Sequence, residues 1–383
     1  MGTIRKFVAP EIVFGAGALD LLGRYAVNLG AGRVFVVTDE GLVRTGLVAR
    51  TVDILQQAGV EAAVYDRVSA NPRDLEVMAG ADQYQQSGAD VIVALGGGSP
   101  MDCAKGISIV SANQQHILAF EGVDQVEIPG PPLICIPTTA GSSADVSQFA
   151  IINHTREQVK IAIISKTVVP DVALIDPSTT LSMPRELTVY TGVDALVHAI
   201  EAYVSTAASA LTDLHALEAI RLLQRFLPAV VAHPADLDLR EQIMLASLEA
   251  GLAFSNASLG AVHAMAHSLG GLLDLPHGEC NSLLLDHVMA FNYPSAPERY
   301  DRIGTLFGVN PVGMAAPARC RAMVAAIRAF KAQLGIGPGL AGRGVHRRDL
   351  TELARKALAD PCMVTNPRRA QVGEIEAIYE EAF

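Results

Sequence analysis

The sequence predicts two joined domains: an α/β domain with a mostly parallel sheet over residues 1–180, and an all-helical domain over residues 181–383. Three observations carry this. In the first half, short β-branched runs alternate with longer amphipathic runs, the pattern of a parallel sheet covered by helices on both faces. Three prolines then interrupt Val168–Pro184. After them strand patterning nearly vanishes and apolar residues recur at helical spacing. A chain of 383 residues is long for one core and comfortable for two.

Taken in order, Arg33–Thr38 (RVFVVT) reads as a strand and Leu47–Ala58 as a helix. Glu61–Tyr65 is a strand, Asp74–Ser87 a helix, and Val91–Leu95 (VIVAL) a strand apolar enough to be buried on both faces. Leu133–Ile136 is another strand. Ligands of such sheets bind at the carboxyl ends of the strands, where Asp39 and Gly96–Ser99 fall. Beyond the prolines the helical runs are Thr188–Val204, Thr212–Phe226, Leu239–Asn256, Ala261–Leu273, Cys280–Ala290, Pro297–Gly304, Pro317–Leu334 and Asp349–Leu358. There is no internal repeat or low-complexity tract.

Composition narrows the function. Half the residues are hydrophobic and 18% are charged, which suits a well-buried globule and not a disordered chain. A net charge of −11 argues against nucleic acid or an anionic membrane as partner. No apolar run approaches the ~20 residues of a membrane span. The first residues lack a signal core, and Lys6 stands where a myristoylation motif at Gly2 needs Ser or Thr. The five cysteines are odd in number and form no CxxC pair. A reducing cytoplasm without a disulfide framework is expected.

The stretch from Thr191 to His277 holds the chemistry. Asp194 and His198 lie four residues apart in an apolar run, on one face of a helix. His263 and His267 repeat the spacing on a second run, and His277 follows in what reads as a loop between Pro276 and Gly278. A carboxylate and imidazoles of this kind suit divalent iron or zinc, and also manganese or cobalt. Their apolar surroundings require that these polar groups be satisfied by something.

A second pattern is Gly96-Gly97-Gly98-Ser99, after a strand and before a helix that starts near Pro100–Asp102. Three glycines let backbone N–H groups approach an anion, and the helix N-terminus adds partial positive charge. This suits a pyrophosphate, although it is not the GxGxxG of the common dinucleotide fold. Gly15-Ala16-Gly17 completes no fingerprint either. Thr138 and Thr139, after the strand ending at Ile136, can hydrogen-bond phosphate or ribose. Asp39 ends the Arg33–Thr38 strand, where a carboxylate can accept from ribose hydroxyls and favour NAD(H) over NADP(H). It can also simply cap the turn before Gly41. The next basic residue in sequence is Arg44.

Four stretches in order, GGGSPMDCAKGI, PTTAGSSADVS, GVDALVHAIEAYVS and HAMAHSLGG…PHG, resemble the iron-containing (group III) alcohol dehydrogenase family. The resemblance runs from about Phe14 to the NPR at Asn366–Arg368. It implies a Rossmann-like N-terminal domain followed by a helical one, the dehydroquinate synthase-like layout, with catalysis in the cleft between them. It implies that Asp194, His198, His263 and His277 hold a divalent metal, iron first and zinc second. It implies His267 as a proton relay, with a second role in packing left open. Cofactor residues would be Asp39, Asn71, Gly96, Gly97, Gly98, Ser99, Asp102, Thr138, Thr139, Ser142 and Lys160. Phe254, Leu259 and Cys362 fall near the family's substrate pocket. Phe149 stands where some members carry a smaller polar residue, and implies an apolar wall.

The expected activity is NAD(H)-dependent, metal-dependent interconversion of a short primary alcohol or diol and its aldehyde, in a homodimer or larger oligomer. The strand-rich Lys6–Phe14 is a candidate for pairing across a dimer. A glycerol-dehydrogenase or dehydroquinate-synthase relative, or a low-turnover regulatory protein with this fold, are the alternatives. A phosphorylated substrate would require a basic cluster, yet Gly251–Asn281 contains neither Lys nor Arg.

Overall fold

The computed structural model describes residues 6–157, 159–273, 275–337 and 339–383; Gly2, considered above for acylation, lies outside them. By its internal contacts the chain divides between Pro184 and Arg185. Val8–Pro184 forms one unit together with Ala235–Met244, and Arg185–Pro234 with Leu245–Phe383 forms the other. The sequence expectation drew the division at 180/181 and had no reason to assign Ala235–Met244 to the first unit. That segment carries Arg240, whose side chain is buried with Nη1 3.8 Å from Met183 Sδ.

The first unit contains β1 (Glu11–Phe14), α1 (Leu22–Asn28), β2 (Arg33–Val37), α2 (Glu40–Thr45), α3 (Leu47–Gln57), β3 (Glu61–Tyr65), α4 (Asp74–Ser87), β4 (Val91–Gly96) and α5 (Gly98–Asn113). It continues with β5 (Gly122–Val123), β6 (Leu133–Pro137), β7 (Phe149–His154), β8 (Val159–Ile164) and β9 (Val172–Ile175). Six strands make one parallel sheet in the order β1-β9-β6-β4-β2-β3. Alternate strand residues feed two cores. Phe35, Val37, Ile92, Ala94 and Cys135 pack with residues of α4 and α5 on one face. Val34, Val36, Val91, Val93 and Ile134 pack with residues of α1 and α3 on the other. All six residues of β4 are buried, as its unbroken apolar run requires.

Four strands, β5, β7, β8 and β9, were absent from the sequence expectation. β1, within the strand-rich Lys6–Phe14, pairs inside the chain, parallel to β9 from Glu11↔Val172 to Phe14↔Ile175. β9 is only four residues, VALI, between Pro170 and Pro177, so its signal is short and flanked by breakers. β7 and β8 form an antiparallel hairpin, joined by β5 in a separate three-stranded sheet.

Beyond β9 the described residues form helices: α6 (Arg185–Val204), α7 (Ala210–Ala232), α8 (Leu237–Ala257), α9 (Ala261–Leu273), α10 (His277–Asn292), α11 (Pro297–Leu306), α12 (Ala316–Gln333), α13 (Leu350–Ala359) and α14 (Val372–Glu381). Short 3₁₀ turns join several of them. Pro276 is the N-cap of α10, so His277 is its first residue and does not lie in a loop. Proline just ahead of a helix is compatible with its fixed φ and missing N–H. The helix α14 was also not foreseen.

Two glycines set helix spacing in this unit. A Cβ on Gly192 of α6 would sit 2.4 Å from Leu227 Cδ1 of α7. A Cβ on Gly278 of α10 would sit 2.4 Å from the Tyr190 carbonyl oxygen of α6. Gly278→Ala is therefore expected to destabilise the protein by about 1–3 kcal/mol, the usual cost of overpacking. Gly373→Ala, in α14 with open space around its Cβ, should instead stabilise by about 0.5–1 kcal/mol. Urea unfolding of both variants tests the contrast, and equal shifts would contradict the packing argument.

Candidate functional site

Three side chains converge in the helical unit. Asp194 comes from α6, His263 from α9 and His277 from α10, and their ligand atoms lie within 4.8 Å of one another. Asp194 Oδ1 is 3.8 Å from His263 Nε2 and 3.7 Å from His277 Nε2. The Asn281 amide nitrogen, one turn after His277, is 2.6 Å from Asp194 Oδ1 and 3.2 Å from each of those two nitrogens. An amide NH₂ has two hydrogens to give, so it can serve two of these three atoms at a time. Asn281 Oδ1 is buried and accepts no hydrogen bond from a described residue.

The tautomer of His263 is fixed from behind. Its Nδ1 is 2.6 Å from Glu201 Oε2, so Nδ1 carries the proton and Nε2 keeps its lone pair. Burial pushes the His263 pKa down to about 3, which keeps the ring neutral and fit to ligate. Burial pushes Glu201 up to about 7, opposed by backbone N–H donors at the start of α9. Val262 N–H donates to Glu201 Oε1 at 2.6 Å, and Ala261 N–H donates to Asn366 Oδ1 at 3.0 Å. These two side chains satisfy N-terminal donors that α9 cannot satisfy itself. Gly260 leaves the room: a Cβ there would meet both oxygens at 2.9 Å.

His198 lies one turn after Asp194 on α6. Its ring stacks between Phe254 (4.3 Å between centroids) and His263 (4.5 Å). The structure thus places it against the converging set, on the face of His263. His267, one turn after His263, stacks on His277 at 5.1 Å. Its Nδ1 is 2.8 Å from Asp360 Oδ2, and Cys362 N–H donates to Asp360 Oδ1 at 2.8 Å. Burial alone would raise the Asp360 pKa. The neighbouring His267 and the hydrogen bonds from His267 and Cys362 together outweigh that and hold it below the usual carboxylate range. Burial pushes the Cys362 thiol well up, so it stays protonated. Leu259 is buried, and its carbonyl accepts from Thr365 Oγ1 at 2.7 Å.

Glu201, Asn281 and Asp360 were not picked out from sequence. Each had a faint signal: Glu201 is a lone acid in the apolar run HAIEA, and Asn281 follows His277 by one turn. Asp360 sits two residues before Cys362.

The first unit gathers the other predicted set. Gly96 ends β4 and Gly98 opens α5, at the carboxyl edge of the sheet. Thr138 N–H donates to the Gly96 carbonyl at 2.9 Å. A Cβ on Gly97 would meet Thr139 at 3.1 Å, and one on Gly98 would meet Ser142 at 2.9 Å. The glycines thus leave a backbone cradle walled by Thr139 and Ser142. Ser99 Oγ donates to the Ala70 carbonyl at 2.5 Å, beside the Asn71 turn. The β7–β8 hairpin brings Lys160 over the same turn, with Nζ 2.8 Å from Asn71 Oδ1. Burial pushes the Asp102 carboxyl up to about 6, against the charge of Lys105 and the Ile151 N–H. Phe149 is buried at the start of β7, and its carbonyl accepts from Lys105 Nζ at 2.7 Å. Asp39 caps α2, accepting from Leu42 N–H at 3.0 Å. A side chain in place of any of the three glycines would collide with Pro100, Thr139 or Ser142, so the backbone passes close to its neighbours here and only glycine fits.

Comparison with known proteins agrees with both halves. Residues 9–177 match the model of the iron-containing alcohol dehydrogenase family, and residues 188–383 match that of the C-terminal part of the Fe-containing alcohol dehydrogenase family. The chain is 39% identical to 1,3-propanediol dehydrogenase of Klebsiella pneumoniae over 380 residues, 98% of each chain. It is 38% identical to NAD-dependent methanol dehydrogenase of Bacillus methanolicus over 377 residues, 98% of this chain and 99% of the other. A crystal structure of 1,3-propanediol oxidoreductase superposes with a TM-score of 0.96 at 39% identity, over all of both chains.

The geometry generates a binding prediction. One divalent ion per chain is expected to bind in a competitive-chelator titration, and His277→Ala should abolish that stoichiometric binding. Glu201→Gln, which replaces the carboxyl partner of His263 with an amide, should weaken the ion by about 10–100-fold, as such outer partners typically do. An unchanged affinity in Glu201→Gln would mean that the His263 tautomer is set elsewhere.

Proposed function

The chain belongs to the iron-containing alcohol dehydrogenase family, and on that premise we propose that it interconverts short primary alcohols or diols with their aldehydes, using NAD(H) and one divalent metal. The observation that carries the proposal is the convergence of Asp194, His263 and His277, with Glu201 fixing a ligand-competent tautomer. His198, stacked on His263, completes the proposed ligand set. One carboxylate and three imidazoles suit iron or zinc, with iron favoured by the family's name. When bound, the metal supplies a Lewis acid for the alcohol oxygen and the nicotinamide a hydride acceptor.

The chain's own groups do the rest. The Gly96–Ser99 cradle with Thr138, Thr139 and Ser142 holds the pyrophosphate, and Asn71 and Lys160 close its side. His267 gives its Nδ1 proton to Asp360 in a hydrogen bond, so Nε2 is left to take the hydroxyl proton released as an alcohol is oxidised. Phe254, Leu259 and Cys362 offer an apolar surround for a small carbon chain. Relatives named for 1,3-propanediol and for methanol, together with the absence of Lys and Arg from Gly251–Asn281, support short uncharged substrates. Among the described residues no helix is long and apolar enough to cross a membrane, and none of the five cysteines is paired. The free thiols support a cytoplasmic setting.

Turnover of methanol, ethanol, propanol and 1,3-propanediol with NAD⁺ tests the proposal, before and after chelation and reloading with Fe²⁺ or Zn²⁺. Activity should vanish on stripping and return with the metal, and full activity in stripped protein would overturn it. His267→Ala should keep its metal and lose about 10²–10⁴-fold in kcat, the typical contribution of a general acid–base group. Loss of the metal instead would make His267 a support of the ligand set and not a relay.

A further inference from the structure

β2 and β3 run parallel from Arg33↔Glu61 to Val37↔Tyr65. Past their carboxyl ends Thr38 N–H still donates to the Tyr65 carbonyl, and then Asp39 and Arg67 meet in an isolated antiparallel bridge. Residues paired in this way project their side chains to the same side, with Cβ atoms about 4.5–5.5 Å apart. The Arg67 side chain therefore starts beside the Asp39 carboxylate, although 28 residues separate them in sequence. Arg67 is exposed and forms no ion pair with a described carboxylate. Arg44, the nearest basic residue in sequence, is 3.6 Å from Glu40 instead.

In dinucleotide sites of parallel sheets, a carboxylate at a strand end reads the ribose 2′-hydroxyl and a nearby arginine accommodates a 2′-phosphate. This chain carries both groups on bridged positions. The Asp39 carboxylate is anchored through Oδ1 to α2, whereas the arginine stem is long and its fork is uncommitted. A guanidinium can take a phosphate bidentately, and an unaccompanied carboxylate would only repel it. We infer that Arg67 is a specificity-determining residue that binds the 2′-phosphate of NADP(H), so that NADP(H) serves as a second cofactor. The inference rests on the reading of Asp39 as the ribose-facing carboxylate.

The test uses adenosine 2′,5′-bisphosphate and 5′-AMP, which differ only in the 2′-phosphate. Calorimetric affinities would be measured for wild type, Arg67→Ala, Asp39→Asn and the double variant. Asn keeps an Oδ1 to cap α2, so folding is not at stake. Arg67→Ala is expected to weaken the bisphosphate by roughly tenfold or more, the value of one hydrogen bond to a charged group, and to leave 5′-AMP unchanged. Asp39→Asn should strengthen the bisphosphate, and that gain should vanish in the double variant. The kcat/KM ratio for NADP⁺ against NAD⁺ should follow the same order. A bisphosphate affinity indifferent to Arg67, or a bisphosphate that binds neither wild type nor Asp39→Asn, overturns the role of Arg67. An Asp39→Asn that alters neither ligand overturns the reading of Asp39 itself.

Discussion

The site in the helical unit rests on one requirement: polar groups buried in an almost entirely apolar bundle must be paired. Asp194, Glu201, His263 and Asn281 are all buried. Each alone would cost several kcal/mol if left unsatisfied. Glu201 resolves most of this, because one carboxylate serves both the first N–H groups of α9 and the back of His263. The same contact that ends a helix correctly also orients the proposed metal ligand His263. Asn366 takes the other donor and links onward to Asn292 and to the Arg368 carbonyl, which gives the NPR segment a structural reason to exist.

The α/β unit depends on close approach instead. Its cradle exists because Gly96, Gly97 and Gly98 lack side chains where Pro100, Thr139 and Ser142 come near. The loops that carry these residues must also be held still. Lys105 does this from the far side of α5. It is fully buried, and its ammonium donates to the Ser147 carbonyl and hydroxyl and to the Phe149 carbonyl. Three donors meet three neutral acceptors, while Asp102 and Asp145 balance the charge at longer range. A buried lysine thus staples the helix after the glycines to the segment leading into β7.

How much of this could be read from sequence follows from the range of each interaction. The strands β2, β3, β4 and β6 and most of the helices are written in local periodicity, and they were legible. The set Asp194, His198, His263 and His277 stood out because the first three lie in apolar runs where a polar residue is conspicuous; the structure brings Asp194, His263 and His277 together and stacks His198 on His263. The strand β9 was hidden because four residues between prolines carry too little period. His277 was placed in a loop because Pro276 looked like a break, when it is the start of α10. Asn281, Glu201 and Asp360 gain their meaning only from partners 62 to 93 residues away or from a turn of helix that had to be placed first. Arg67 is the plainest case: along the chain it belongs to the loop after β3, and only the bridge brings it to Asp39.

The same distinction settles how a cap and a binding group can be one residue. Asp39 was open to two readings, a helix cap or a ribose reader, and the structure shows the cap. A carboxylate has two oxygens and about four acceptor directions, and the Leu42 N–H occupies one of them. Capping therefore fixes the direction of the group without consuming it. A side chain held in this way loses little further freedom when a hydroxyl binds, which lowers the entropic cost of recognition. The short helix α2 then acts as a support for the carboxylate at the strand end, and the cap is compatible with the proposed ribose contact.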